Sequence, residues 1–204
     1  FSGGGKATYL KKWNGNWRLL KLYGDFSTSH GITKSEWENS TQLFGTGEEF
    51  VDHQYQHDVT GLLKYSFTTS LTRNLGNHYY LVPEINAGVV HESLNRKQGI
   101  PPEDDNSIDS LNADFTRNYS YARPGLRFKR GTENIQFNIA AYAEAGKMGN
   151  ILADDGSNVY SSVFYILPQA SFEDQYRNGH RFEVAYESRV NTPTNTQLLP
   201  VINN

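Results

Sequence analysis

The stretch Arg181-Phe182-Glu183-Val184-Ala185-Tyr186-Glu187-Ser188-Arg189 alternates apolar with charged residues. Successive side chains of a β-strand point to opposite faces. Phe182, Val184 and Tyr186 therefore share one face, and Arg181, Glu183, Glu187 and Arg189 share the other. Two surroundings satisfy such a strand. In a soluble sandwich the apolar face meets a core and the charged face meets bulk water. In a membrane barrel the apolar face meets lipid and the charged face meets a wet interior. The choice rests on how the remaining sequence is organised.

The 204-residue chain is long enough to bury a core, and its 13 Tyr and 11 Phe, with many Thr and Val, favour strands. A net charge of -3 supplies no basic field, so nucleic acid is not an expected partner. The absence of Cys removes disulfide frameworks, thiolate nucleophiles and Cys-based zinc sites together. No run approaches the ~18 apolar residues of a transmembrane helix. The longest are short, such as Val163-Phe164-Tyr165-Ile166-Leu167. Spanning strands stay open, because each needs only about 9–11 residues of alternating pattern.

Four tight-turn sequences stand between strand-like segments: Asn14-Gly15-Asn16, Asn74-Leu75-Gly76-Asn77, Lys129-Arg130-Gly131-Thr132-Glu133 and Arg177-Asn178-Gly179-His180. Each sets Gly beside polar residues, as a short hairpin requires. Three longer polar stretches alternate with them, at roughly 30–55, 96–112 and 148–158. Their contents are loop-like: Gly45-Thr46-Gly47-Glu48-Glu49, Pro101-Pro102 and Asp154-Asp155-Gly156-Ser157. This order predicts an all-β chain of eight antiparallel strands in an up-and-down meander. All tight turns then fall at one end and all long loops at the other. Outer-membrane barrels show that asymmetry, with short periplasmic turns and long extracellular loops. Soluble sandwiches, with a turn signal about every 8–12 residues, do not. With the tight turns periplasmic, the first strand descends and the eighth ascends, so both ends lie on the extracellular side. Residues 1–204 are thus expected to form a single partial barrel domain, the middle of a larger barrel.

The other strands divide as the opening one does. Leu63, Tyr65, Phe67 and Leu71 alternate with Lys64, Ser66, Thr68 and Ser70, while Leu81, Pro83, Ile85 and Ala87 alternate with Glu84 and Asn86. Ala122, Pro124, Leu126 and Phe128 oppose Arg117, Arg123 and Arg127; Ile135, Phe137 and Ile139 oppose Gln136, Asn138 and Glu144. Phe164, Ile166, Pro168 and Phe172 oppose Gln169, Ser171 and Glu173. After Trp17 the faces blur, because Leu19, Leu20 and Leu22 occupy both. An Arg or Lys facing lipid at mid-depth costs about 2–4 kcal/mol. Glu84, Asn86, Arg117, Arg123, Arg127, Glu144, Arg181, Glu183, Glu187 and Arg189 are therefore the candidate interior-facing polar residues. They either bridge one another along the wall or line a polar permeation surface. Trp13, Trp17, Tyr79, Tyr80, Phe128, Tyr176 and Phe182 gather near the tight turns, as an interfacial girdle would. Pro83, Pro124 and Pro168 lack a ladder donor, which predicts bulges or locally irregular pairing.

No Ser/His/Asp set or paired carboxylates can be assembled, so an enzyme is not expected. Gly3-Gly4-Gly5-Lys6-Ala7 lacks the spacing and hydroxyl of a phosphate loop. His53 and His57 would share a metal on a helix, but four residues of strand span about 13 Å. Glu103-Asp104-Asp105-Asn106 and Asp154-Asp155-Gly156 offer oxygen ligands of the kind that hold calcium, without EF-hand spacing. No other cofactor is expected.

The end of the chain carries a further pattern. After Tyr186-Glu187-Ser188-Arg189-Val190 come Asn191-Thr192-Pro193-Thr194, Gln197-Leu198-Leu199-Pro200 and Asn203-Asn204. This run resembles a segment of the outer-membrane β-barrel family of Bacteroidota TonB-dependent receptors. There an Asn-x-Pro-Ser-like step precedes a Gln-Leu-x-Pro element; here Thr194 stands where Ser is common, and Leu199 where Gln often lies. Leu71-Thr72-Arg73-Asn74-Leu75-Gly76 and Phe164-Tyr165-Ile166-Leu167-Pro168 look similar to upstream elements of that family. The resemblance implies a plug-gated barrel of about 22 strands importing a nutrient such as a glycan, peptide or metal chelate. It also implies outer-membrane lipid around the barrel, with the TonB complex and a surface lipoprotein or other outer-membrane subunits as partners. No plug domain or TonB box is recognisable in these residues. A non-transporting structural or docking barrel subunit of an outer-membrane complex is the alternative. Asp109-Ser110-Leu111 is similar to the short O-glycosylation signal of Bacteroidota.

Overall fold

The computed structural model describes residues 1–15, 17–42, 45, 49–100, 112–152, 157–176 and 179–190. These form eight strands and no helix: β1 (Ser2–Lys12), β2 (Trp17–Gln42), β3 (Glu49–Gly76), β4 (Tyr79–Gly99), β5 (Ala113–Gly131), β6 (Ile135–Leu152), β7 (Ser157–Gln175) and β8 (Arg181–Glu187). Each pairs antiparallel with its sequence neighbour in one sheet of order β1 to β8. Among the described residues β1 pairs only with β2 and β8 only with β7, so the sheet is open. The fold is the up-and-down meander that the turn pattern predicts.

The tight turns close as their residues allow. At the β3–β4 hairpin the chain reverses at Asn77 and His78, whose φ angles of 49° and 65° have the signs of a type I′ turn. The Asn74 carboxamide oxygen accepts from the Gly76 amide at 3.0 Å, across a register shift between those two residues. At β5–β6, Thr132 replaces glycine chemistry with a hydroxyl: the Ile135 amide donates to Thr132 Oγ1 at 3.0 Å.

The long connections differ from expectation. β2 runs to Gln42 and β3 begins at Glu49, so most of the polar stretch 30–55 is paired strand. β6 likewise runs to Leu152 and β7 begins at Ser157, within the stretch 148–158. Alternation marks a strand only where its two faces meet different surroundings. Where both faces meet water the signal disappears, although the backbone ladder continues. The C-terminal run 191–204, the acidic stretches 103–106 and 154–156, and the triplet 109–111 lie outside the described residues.

Of the two outcomes expected at the prolines, bulges or locally irregular pairing, the second is seen at Pro83 and Pro124, without a register shift. Beside Pro83 the β3–β4 ladder skips from Ser70↔Glu84 to Arg73↔Leu81; beside Pro124 the β5–β6 ladder skips from Ala122↔Ala145 to Gly125↔Tyr142. On their other sides Pro83↔Leu126 and Ile85↔Pro124 remain in register. The missing N–H leaves a gap toward one neighbour only. Pro168 lies where the β7–β8 ladder stops, and its carbonyl accepts from the Ser188 hydroxyl at 2.8 Å. The blurred start of β2 is resolved by a bulge between Trp17 and Leu19, beyond which Leu20 pairs with Leu71 and Leu22 with Thr69.

Register aligns the alternating faces across the whole sheet. One row runs Gly24, Phe67, Ala87, Ala122, Ala145, Phe164 from β2 to β7. The adjacent row, on the opposite face, runs Asp25, Ser66, Gly88, Tyr121, Gly146, Val163. Burial is inverted relative to a water-soluble sheet. On the apolar face Phe67, Phe164, Ile166 and Val184 are 50%, 66%, 69% and 52% exposed, whereas on the polar face Arg117 and Glu144 are 4% and 2% exposed. The largest buried apolar cluster, Ala140, Tyr142 and Leu167, also lies on the polar face.

Candidate functional site

Parity decides which residues reach the sheltered face, and antiparallel register decides which carboxylate meets which guanidinium. Farthest from the tight turns, Asp58 of β3 stands opposite Arg96 of β4. Arg96 Nε donates to Asp58 Oδ1 and its terminal nitrogen to Oδ2, both at 2.8 Å, and Gln56 Nε2 donates to Oδ2 at 2.8 Å. Burial alone would push the Asp58 carboxyl up. The hydrogen bonds from Arg96 and Gln56, with the Arg96 charge, outweigh it and hold the group below the ordinary carboxylate range. The same Asp58 bond raises the Arg96 guanidinium.

Four further clusters follow toward the tight turns. Arg117 pairs with Glu92, directly opposite on β4. Glu144 accepts from the Tyr119 hydroxyl and from Arg123 Nε, the latter at 2.6 Å. Arg127 donates to the Tyr142 hydroxyl at 2.6 Å and lies 3.7 Å from Glu84. Arg181 bridges Glu173 and Glu183, each at 2.9 Å. Beside these, Arg189 meets Glu187 at 2.7 Å, and Asn86 Nδ2 donates to Thr68 Oγ1 at 2.8 Å.

Tyrosines complete the cover. A Cβ placed on Gly125 would lie 2.1 Å from the Tyr142 ring; one on Gly146 would lie 2.7 Å from Tyr119, and one on Gly88 2.8 Å from the Tyr121 hydroxyl. Each ring lies over the bare backbone of a neighbouring strand, an aromatic–glycine pairing that covers glycine in sheets. One layer of strands thereby shelters a face that no second layer covers.

All ten residues singled out from the sequence, Glu84, Asn86, Arg117, Arg123, Arg127, Glu144, Arg181, Glu183, Glu187 and Arg189, have side-chain partners on this face. Sequence reasoning missed Asp58, Glu92 and Arg96, and it put Tyr119, Tyr142 and Glu173 on the polar face without their partners. Their alternation was available, but their roles depend on register. At the tight-turn end the same face holds a cleft of about 450 Å³, lined by Tyr80, Arg127, Lys129, Gln136, Asn138, Ser171, Glu173 and Glu183 among others. Arg127 Nε and Asn138 Oδ1 are buried there without a protein hydrogen-bond partner among the described residues. Such atoms are ordinarily met by water or a ligand group, so the cleft is suited to a small polar molecule.

The aromatics near the tight turns divide between faces. Tyr79 stacks on Phe128 at 5.5 Å on the apolar side, whereas Tyr80 lies under Lys129, at 5.6 Å, on the polar side. Among the described residues no three His, Asp or Glu gather as a metal site. His53 instead lies 3.6 Å from Glu38. No protein-family model matches the chain, and no curated protein matches it either.

Proposed function

We propose that this chain forms part of the wall of an outer-membrane β-barrel of the nutrient-importing, TonB-dependent receptor kind. One observation carries the reading: the apolar face is the exposed one, while the charged face is internally paired and, across β4–β6, sheltered. Contiguous apolar surface on this scale is rare on soluble monomers. In lipid it is stabilising, at about 25 cal/mol for each Å² removed from water. Extracellular connections then capture the ligand, and the sheltered face presents hydroxyls, amides and neutralised ion pairs along its route. Pairing of the charges equally favours a structural wall, which keeps a non-transporting docking subunit as the second reading.

These 204 residues contain no Cys, so single cysteines can be placed here in a full-length background cleared of any others. In the full-length protein in membranes, fluorophores at Phe67 or Ile139 should be quenched from within the lipid. Those at Ser66 or Asn138 should respond to aqueous quenchers. Aqueous quenching at all four positions would reject the barrel. Deleting the gene separates the two roles. Lost growth on a polysaccharide, peptide or chelated-metal source supports import, whereas normal growth with loss of an outer-membrane assembly supports docking.

A further inference from the structure

The two faces hold most of their cations differently, although Lys129 on the sheltered face also lies over a ring, that of Tyr80. On the sheltered face the guanidiniums of Arg96, Arg117, Arg123, Arg127 and Arg181 meet carboxylates. At the tight-turn end of the exposed face they meet rings instead. Lys11 lies 5.4 Å from the Trp13 ring, Arg73 5.4 Å from Trp17, and Arg130 5.2 Å from Tyr79. Among the described residues no carboxylate forms an ion pair with any of these three cations.

Register sets the three on one collar. Lys11 is joined through Leu20 to Leu71, two residues from Arg73; Arg73 pairs with Leu81, two residues from Tyr79, whose partner is Arg130. They occupy alternate strands β1, β3 and β5, about 10 Å apart at ~4.8 Å per strand. A cation held against an aromatic face keeps its charge and most of its donors available. Placed at the border of an apolar band, it is complementary to an anion at headgroup depth.

We propose that Lys11, Arg73 and Arg130, seated on Trp13, Trp17 and Tyr79, form a collar that binds the phosphates of anionic phospholipids in the leaflet at the tight-turn end. The proposal rests on the barrel reading above. On the sheltered face Lys129 likewise lies over Tyr80, but in the barrel reading that face turns to the interior, so the lipid is held on the outside only.

Two of the three tryptophans, Trp13 and Trp17, report on this collar, whereas Trp37 donates to Gln54 at 3.2 Å in the far part of β2. The full-length protein, with Trp37 and any tryptophan outside residues 1–204 replaced by Phe, is placed in vesicles of phosphatidylcholine and phosphatidylglycerol, with one lipid at a time carrying brominated acyl chains. Brominated phosphatidylglycerol should quench the remaining tryptophans with an association preference of about fivefold, as expected for about one basic residue acting at an anionic surface. The preference should fall toward onefold in 1 M salt, where screening is nearly complete, and in Lys11→Gln/Arg73→Gln/Arg130→Gln. It should persist in Arg73→Lys/Arg130→Lys. Equal quenching by the two lipids in low salt, or a preference untouched by salt, overturns the collar and leaves the barrel intact. If neither lipid quenches, collar and barrel are both overturned.

Discussion

Gly125 illustrates how closely the sheltered face is fitted. Alanine there would place its Cβ 2.1 Å from the Tyr142 ring, which must swing away and release its 2.6 Å contact with Arg127. Overpacking of this kind costs about 1–3 kcal/mol. The urea midpoint of the membrane-inserted Gly125→Ala protein should drop accordingly, while Gly5→Ala, with nothing within 4 Å of the new carbon, should leave it unchanged. Equal midpoints would mean that Tyr142 is not seated on Gly125. Asp58 gives a pH signature. It lies ~15 residues, or about 50 Å of strand, from Arg73, beyond the ~25 Å apolar band of a barrel. Its folded-state value lies below the ordinary one, so its stabilising contribution is present above about pH 4 and is lost as pH falls through that lowered value. A carboxyl titration followed by NMR should show protonation of Asp58 later in an acid titration than of exposed aspartates, and Arg96→Gln should abolish the delay.

At the scale of the strand, β8 tests the assignment of faces. Val184 pairs with Phe172 on the exposed face, and Ala185 with Ser171 on the sheltered one. Val184→Arg should cost about 2–4 kcal/mol and impair assembly, whereas Ala185→Arg should enter a region already holding Glu173, Glu183 and Glu187. Heat-modified mobility of the inserted protein distinguishes them, and equal tolerance would reverse or abolish the two faces. Strand faces were legible in the sequence wherever one side met a different medium from the other. The upper halves of β2 and β3 were not, because Lys34 through Glu38 and Asp52 through Asp58 hold only Trp37 and Tyr55 as large apolar residues, too few to mark a face. The prolines announced irregular pairing, which is found as ladder gaps, but not its form. Sequence reports the missing donor, but only the sheet shows that one neighbour can forgo a bond without losing register.

Across the whole molecule, the order of the strands followed from alternating short and long connections, and the site followed only partly. Parity selected the residues of the polar face. It could not join Glu92 to Arg117 or Asp58 to Arg96, since those pairs require the alignment of β3, β4 and β5 as a set. The tyrosine–glycine contacts were equally hidden, being diagonal or cross-strand steps without a local sequence mark.

The unequal strand lengths have a mechanical consequence. β4 joins β3 only at Tyr55↔Gly99, so the pairs from Trp37↔Gln54 to Gln42↔Glu49 form a ribbon of two strands, about 20 Å long. An isolated ribbon is marginally stable, so this one should open without disturbing the sheet that carries it. Backbone amides at Trp37 and His53 should exchange with deuterium far sooner than those at Ile139 or Leu167, with opening free energies near zero rather than near the global value. The hairpin then behaves as a hinged arm on a stiff wall, able to swing toward whatever approaches that end.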